Sequence, residues 1–103
     1  MTSPFRLTRP AIQDIEEIAD SIARESGFAR ADRFLARLEA KLSHIARFPR
    51  IGRKRDEILP KLRTFPLDRY LILYIAENRT IEILRVVSGY RDLSALFTEP
   101  EEE

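Results

Sequence analysis

Apolar residues recur along this chain at two periods, and the change from one to the other divides it. Ile12, Ile15, Ile18 or Ala19, and Ile22 return every three or four residues, the spacing of one helix face. Asp14, Glu16, Glu17 and Asp20 take other faces, several of them near the positive N-terminal end of the dipole. Thr8 suits an N-cap, Pro10 has no hydrogen bond to lose in a first turn, and Gly27 stops the run. Together these signals predict a helix over residues 9–26. A second stripe, Phe34 or Leu35, Leu38, Leu42 and Ile45, predicts a helix over residues 29–48, closed by Pro49. The short "SGF" link makes the two an antiparallel helical hairpin.

Elsewhere the apolar pattern is that of strands. "PFRLT" at the start reads as an edge strand, with Pro4 at its beginning where no ladder bond is lost. After the loop "PRIGRKRDEILP" come three further runs, "KLRTFPL", "RYLILYIA" and "TIEILRVV". The middle run is apolar at both parities, as a central strand covered on both faces would be. "ENR" at 77–79 predicts a hairpin, and Pro66 predicts a distorted ladder in the first of the three. The expected fold is α+β, with the order β-α-α-β-β-β. A helical hairpin packs on a small antiparallel sheet with an N-terminal edge strand. One domain over residues 1–98 and an acidic tail over 99–103 account for the chain.

Composition then narrows the chemistry. With no cysteine and a single histidine, His44, thiol chemistry, disulfides and multi-histidine metal sites are excluded. No apolar stretch approaches the ~20 residues of a membrane span, and the start does not resemble a signal peptide. The expectation is a cytoplasmic protein without cofactor. Net charge is only +1, but it is unevenly spread. From Arg47 to Arg69, Arg50, Arg53, Lys54, Arg55, Lys61 and Arg63 meet only Asp56, Glu57 and Asp68. Such a stretch either keeps a loop solvated or meets an anionic partner.

With the element order in place, the chain resembles the RelE/ParE superfamily of type II toxin–antitoxin modules. The resemblance rests on "TRPAIQDIEEIADSIARES", "FPRIGRKRDEI", "LRTFPLDRYLILYI" and "IEILRVVSGYRDL", and runs from about Pro4 to Phe97. The last two look most like the ParE branch. The resemblance implies one of two activities: RelE-type members cut messenger RNA on the ribosome, and ParE-type members inhibit DNA gyrase. It also implies a cognate antitoxin, ParD-like in the ParE branch, that wraps a C-terminal segment around the toxin. Specific DNA binding is expected of the antitoxin and not of the toxin alone.

Cleaving RNA through its 2′-oxygen needs proton transfer at two oxygens and charge stabilisation at the phosphate. Aligned without gaps on the ribonuclease pattern, this sequence has Leu62 and Thr64 in place of lysines. Leu71 stands for a strand arginine and Phe97 for a tyrosine. Arg91 alone is kept, although a shift of one or two residues would bring in Arg63 or Arg69. His44, between Leu42 and Ile45, reads as a helix-surface histidine. Tyr90 is either aromatic cover over the sheet edge or a contact residue. Arg91 either meets a partner or pairs internally with Asp92, for which Arg85 is the competing cation.

The leading expectation is a non-enzymatic ParE-like toxin with no catalytic residues. Arg53, Lys54, Arg63, Arg69, Tyr90 and Arg91 would carry antitoxin or target contacts. A RelE-like ribonuclease with a rearranged site and a degenerate, non-toxic antitoxin-binding module are the alternatives.

Overall fold

Three residues of the opening run find a strand partner, and the next one starts a helix. The computed structural model describes residues 5–98. The acidic tail at 99–103 and Pro4 lie outside the described residues. β1 (Phe5–Leu7) pairs with the last strand, and the Thr8 backbone N–H donates to Ile83 O at 3.0 Å. The Thr8 hydroxyl accepts from Ala11 N (3.1 Å) and donates to Leu84 O (2.8 Å), so one side chain caps the helix and ties it to the sheet. The first helix, α1 (Arg9–Ser26), has the expected bounds. Ala11 is fully buried, and Ile15, Ile18 and Ile22 pack on the core, while Ile12 stays exposed.

Gly27 alone joins the helices, closing α1 and opening α2 (Phe28–Arg47). Its φ of 94° is one that side chains rarely adopt, which is why the expected three-residue link contracts to one glycine. Of the two candidates in the second stripe, Phe34 is buried and Leu35 is not. Phe48, out of the helical region ahead of Pro49, ends α2.

The basic loop then contributes a short strand that periodicity did not reveal, β2 (Arg53–Lys54). β3 (Leu62–Leu67), β4 (Tyr70–Glu77) and β5 (Thr80–Ser88) follow, and the sheet order is β1-β5-β4-β3-β2. β2 to β5 are antiparallel, whereas β1 runs parallel to β5 because two helices separate it from the meander, so the sheet is mixed. Asn78 and Arg79 turn the β4–β5 hairpin at φ 55° and 63°, the pair of positive angles that a two-residue primed turn requires.

β4 is central and covered on both faces, as its composition indicated. Ile72 and Tyr74 meet the helices in a core with Phe34, Leu38, Leu42 and Ile45. Leu73 faces the other way, into a smaller layer with Leu62, Val87 and Leu93. That layer is covered by Ile58 and Leu59 from the loop before β3 and by Leu96 and Phe97 of a short 3₁₀ turn, Ser94–Phe97.

Two polar devices hold the edges. Tyr74 is fully buried; its hydroxyl donates to Pro49 O (2.8 Å) and accepts from Gly52 N (2.9 Å). Arg63 donates to Arg50 O (3.1 Å) and Gly52 O (2.8 Å), closing the same loop from β3. On the opposite edge, β5 skips one residue opposite β4, pairing Leu73 with Arg85 and Tyr74 with Ile83. Past the reach of β1, Asp14 of α1 accepts from Val86 N (3.0 Å) and from two nitrogens of Arg85 (2.7 and 2.9 Å). That bond is the main reason the Arg85 guanidinium is held above its ordinary pKa.

A Cβ at Gly52 would sit 2.6 Å from the Tyr74 hydroxyl and 3.0 Å from Thr64 O, so Gly52→Ala forces apart groups packed on all sides. Equilibrium unfolding in urea should show a loss of about 1–3 kcal/mol. Tyr74→Phe leaves the buried Gly52 N–H without its partner, and the same measurement should give a loss of about 1–3 kcal/mol at neutral pH. Burial also raises the Tyr74 pKa above its ordinary 10, against smaller opposing effects of the Gly52 hydrogen bond and Arg63. The unfolded chain therefore ionises this phenol first. Its contribution is whole below a pH of about 10 and falls away as pH rises through the folded-state value. The gap between wild type and Tyr74→Phe should narrow in melts above that pH, and a constant gap would contradict this account.

Candidate interaction surface

The six basic and aromatic residues singled out in the sequence fall into two separate groups. Arg53 and Lys54 lie exposed on β2, paired in register with Thr64 and Arg63. Arg63 is half-buried and engaged with the loop carbonyls, so it is a brace as well as a charge. Lys54 and Arg63 line a small cleft with Lys61 and Asp56. Arg55 is taken by Glu57, and that hydrogen bond holds the Glu57 carboxyl below its usual pKa.

Arg69, Tyr90 and Arg91 gather at the other end of β3, about 15–20 Å away at the ordinary rise of a strand. Gly89 N donates to Arg69 O (2.9 Å), joining the end of β5 to the β3–β4 turn. Arg91 N donates to Ser88 O (3.1 Å), and Tyr90 N donates to the Ser88 hydroxyl (3.2 Å). The Tyr90 side chain is thereby held in water, 94% exposed, and does not cover the sheet edge as one sequence reading had it. Nor does Arg91 pair with Asp92. Asp92 accepts from Ser94 N (3.1 Å), and Arg85 belongs to Asp14. Among the described residues Arg91 has no ion-pair partner and borders a cleft of about 210 Å³ with Glu17, Ser21, Tyr70 and Ser88.

Sequence reading missed the neighbouring cleft. About 310 Å³ in volume, it lies between the helices and the β3–β4 turn, with Phe34 and Tyr70 among the residues lining it. Arg30, Arg33 and Arg37 of α2 rim it with Arg69; Arg37 is paired to Asp68. The spacing 30, 33, 37 was a usable signal, since it puts three arginines on one helical stripe.

Of the positions that the ribonuclease pattern singles out, Arg91 borders a cleft, whereas Leu62, Thr64, Leu71 and Phe97 line none of those described above. Leu62, Leu71 and Phe97 all belong to the second apolar layer, and Thr64, opposite Leu73, is buried on the same face. His44 is exposed and packs edge-on against Phe48, ring centres 5.1 Å apart. Among the described residues no cluster of three or more His, Cys, Asp or Glu could hold a metal ion. No helix among them is long and apolar enough to cross a membrane.

Comparison with known proteins agrees with this geometry. The family model described as the ParE toxin of the type II toxin–antitoxin system parDE matches residues 5–93. Toxin ParE3 of Caulobacter vibrioides is 32% identical over 88 residues, covering 85% of this chain and 88% of that protein. Toxin ParE1 of Mycobacterium tuberculosis is 31% identical over 94 residues, covering 90% and 96%. Among solved structures, a chromosomal ParDE system from P. aeruginosa has the same fold, with a TM-score of 0.73 at 20% identity, covering 84% of this chain and 96% of that one. The toxin–antitoxin complex RelBE2 from M. tuberculosis follows at 0.60 and 22%, covering 85% and 99%.

Since Arg91 and Asp92 touch no buried partner, Arg91→Lys and Asp92→Asn should each change stability by less than ~0.5 kcal/mol in urea titrations. Asp14→Ala is the contrast. It strands the partly buried Arg85 and the Val86 N–H together, and should cost about 2–3 kcal/mol. A large loss at Asp92 would mean that the 88–94 turn carries the fold after all.

Proposed function

Because this chain belongs to the ParE toxin family of type II toxin–antitoxin systems, we propose that it acts in the cytoplasm as an inhibitor of DNA gyrase, that it needs no catalytic residue or cofactor, and that a cognate ParD-like antitoxin neutralises it. The observation that carries the non-enzymatic reading is the second apolar layer. A strand that presented proton-transfer groups would have to keep them solvated or paired. Here Leu62, Thr64, Leu71 and Phe97 are turned into packing instead. A leucine cannot neutralise a phosphate, and a phenylalanine cannot exchange a proton. Tyr90 and Arg91, exposed on a pinned turn, are the proposed target contacts.

Arg53 and Lys54 are proposed to receive an acidic stretch of the antitoxin, with half-buried Arg63 adding to the field. Charges at the rim of an interface act mainly on the rate of association, while apolar anchors set the lifetime.

In a supercoiling assay the purified protein should inhibit gyrase, and cells that express it should filament while messenger on ribosomes stays intact. Codon-specific cleavage on the ribosome, abolished by Arg91→Ala, would instead establish a RelE-like ribonuclease. Reversing Arg53 and Lys54 to Glu should slow antitoxin association about tenfold at low salt, with little change in dissociation. Stopped-flow rates that are unchanged would place the antitoxin elsewhere.

A further inference from the structure

The two clefts at the β3–β4 turn share Tyr70 as a lining residue. Five arginines border them: Arg30, Arg33, Arg37 and Arg69 line the larger, and Arg91 the smaller. Asp68 is paired to Arg37 and Asp14 to Arg85, so neither acid is available to the remaining guanidinium groups. Arg30, Arg33, Arg69 and Arg91 have no ion-pair partner among the described residues, against two free carboxylates, Glu17 and Glu25. The excess cations therefore form a band across one end of the domain.

The two most exposed large apolar side chains, Tyr90 at 94% and Phe28 at 81%, stand at the same end. Tyr90 precedes Arg91, and Phe28 opens the helix that carries Arg30 and Arg33. Unpaired guanidinium groups with open aromatic rings beside them suit a chain of phosphates carrying stackable bases. An acidic peptide would need deep apolar anchor sites, and here Phe34 is already buried by its own core and Tyr70 packs edge-on against it, ring centres 5.5 Å apart. We infer that this arginine-bordered end of the toxin is a contact for single-stranded nucleic acid, made to its phosphate backbone and stacked bases and independent of base sequence.

The test is fluorescence anisotropy of a labelled 20-nucleotide single-stranded DNA of arbitrary sequence, titrated with the toxin over a range of salt concentrations. No gyrase is present, so the outcome is separate from the gyrase reading. Four backbone contacts predict a slope of log K against log salt of about −2.8, at about −0.7 per contact on a single strand. Arg69→Ala with Arg91→Ala should remove about half of that slope and weaken binding at least fivefold or so at low salt. Arg69→Lys with Arg91→Lys keeps the charge, and should retain the slope at somewhat lower affinity. Arg53→Ala with Lys54→Ala, at the far edge, should leave affinity within about twofold.

Absence of saturable binding at ~100 μM toxin in low salt would overturn the inference, since that is the weak end of ordinary non-specific affinity. So would equal losses from the β2 variant, which would reduce the effect to overall charge. An acidic peptide that binds more tightly than DNA, with the same dependence on Arg69 and Arg91, would reassign the surface to a protein partner.

Discussion

One carboxylate decides how the helices sit on the sheet. β1 ends at Leu7 while β5 continues to Ser88, so the outer edge of β5 would otherwise run bare beyond Thr8. Asp14 takes the place of the missing strand there, accepting from the Val86 N–H and from Nε and Nη2 of Arg85. The pair is largely shielded, with side chains only 11% and 21% exposed. Its net contribution as an ion pair is modest, because both groups give up water to form it. What it supplies is position: α1 is held on the β5 edge by a bond that no apolar contact would direct so narrowly. Gly27 then hands that placement to α2 through a single residue, and α2 brings Arg30, Arg33 and Arg37 to the β3–β4 turn.

The two faces of the sheet divide the work. The helical face holds most of the core, with Tyr74 as its polar pin. The other face is closed by side chains from two irregular segments, a covering that needs only apolar area and no regular structure. A related fold that uses this face for chemistry would have to leave it open and charged. Fold membership alone is therefore silent about activity, and the side chains on that face are what argue.

Local signals in the sequence were legible wherever a local constraint produced them. Thr8, Pro10 and Gly27 marked α1 to the residue, and "ENR" marked a turn that needs two positive φ angles. Both parities of β4 announced a strand covered on two sides. Non-local pairings were not legible. Two residues of β2 have no period to detect, and nothing local says that β1 should choose β5 and run parallel to it. Arg63 looked like a surface cation because its carbonyl partners at Arg50 and Gly52 are supplied by a loop folded back on it. Adjacency suggested Arg91 with Asp92 or Arg85 with Asp92, yet Arg85 found its carboxylate 71 residues away. The pattern places Asp14 only on a face other than the apolar stripe of its helix, and a charge's position on a helical wheel says little about an edge strand it has yet to meet.

Charge, finally, is organised by the strand direction. β3 separates the Arg53–Lys54 edge from the Arg69–Arg91 end by about 15–20 Å, roughly twice the screening length of about 8 Å at physiological salt. At that spacing each cluster acts on what touches it and scarcely on the other, so substitutions at the two ends should combine additively. A chain with a net charge of only +1 can therefore present two distinct cationic surfaces. Asp68 is taken by Arg37, Glu57 by Arg55 and Glu77 by Lys61, which leaves Arg53 and Lys54 at one end of the strand and Arg69 and Arg91 at the other without an ion-pair partner among the described residues. The total charge conceals this arrangement, and the pairing produces it.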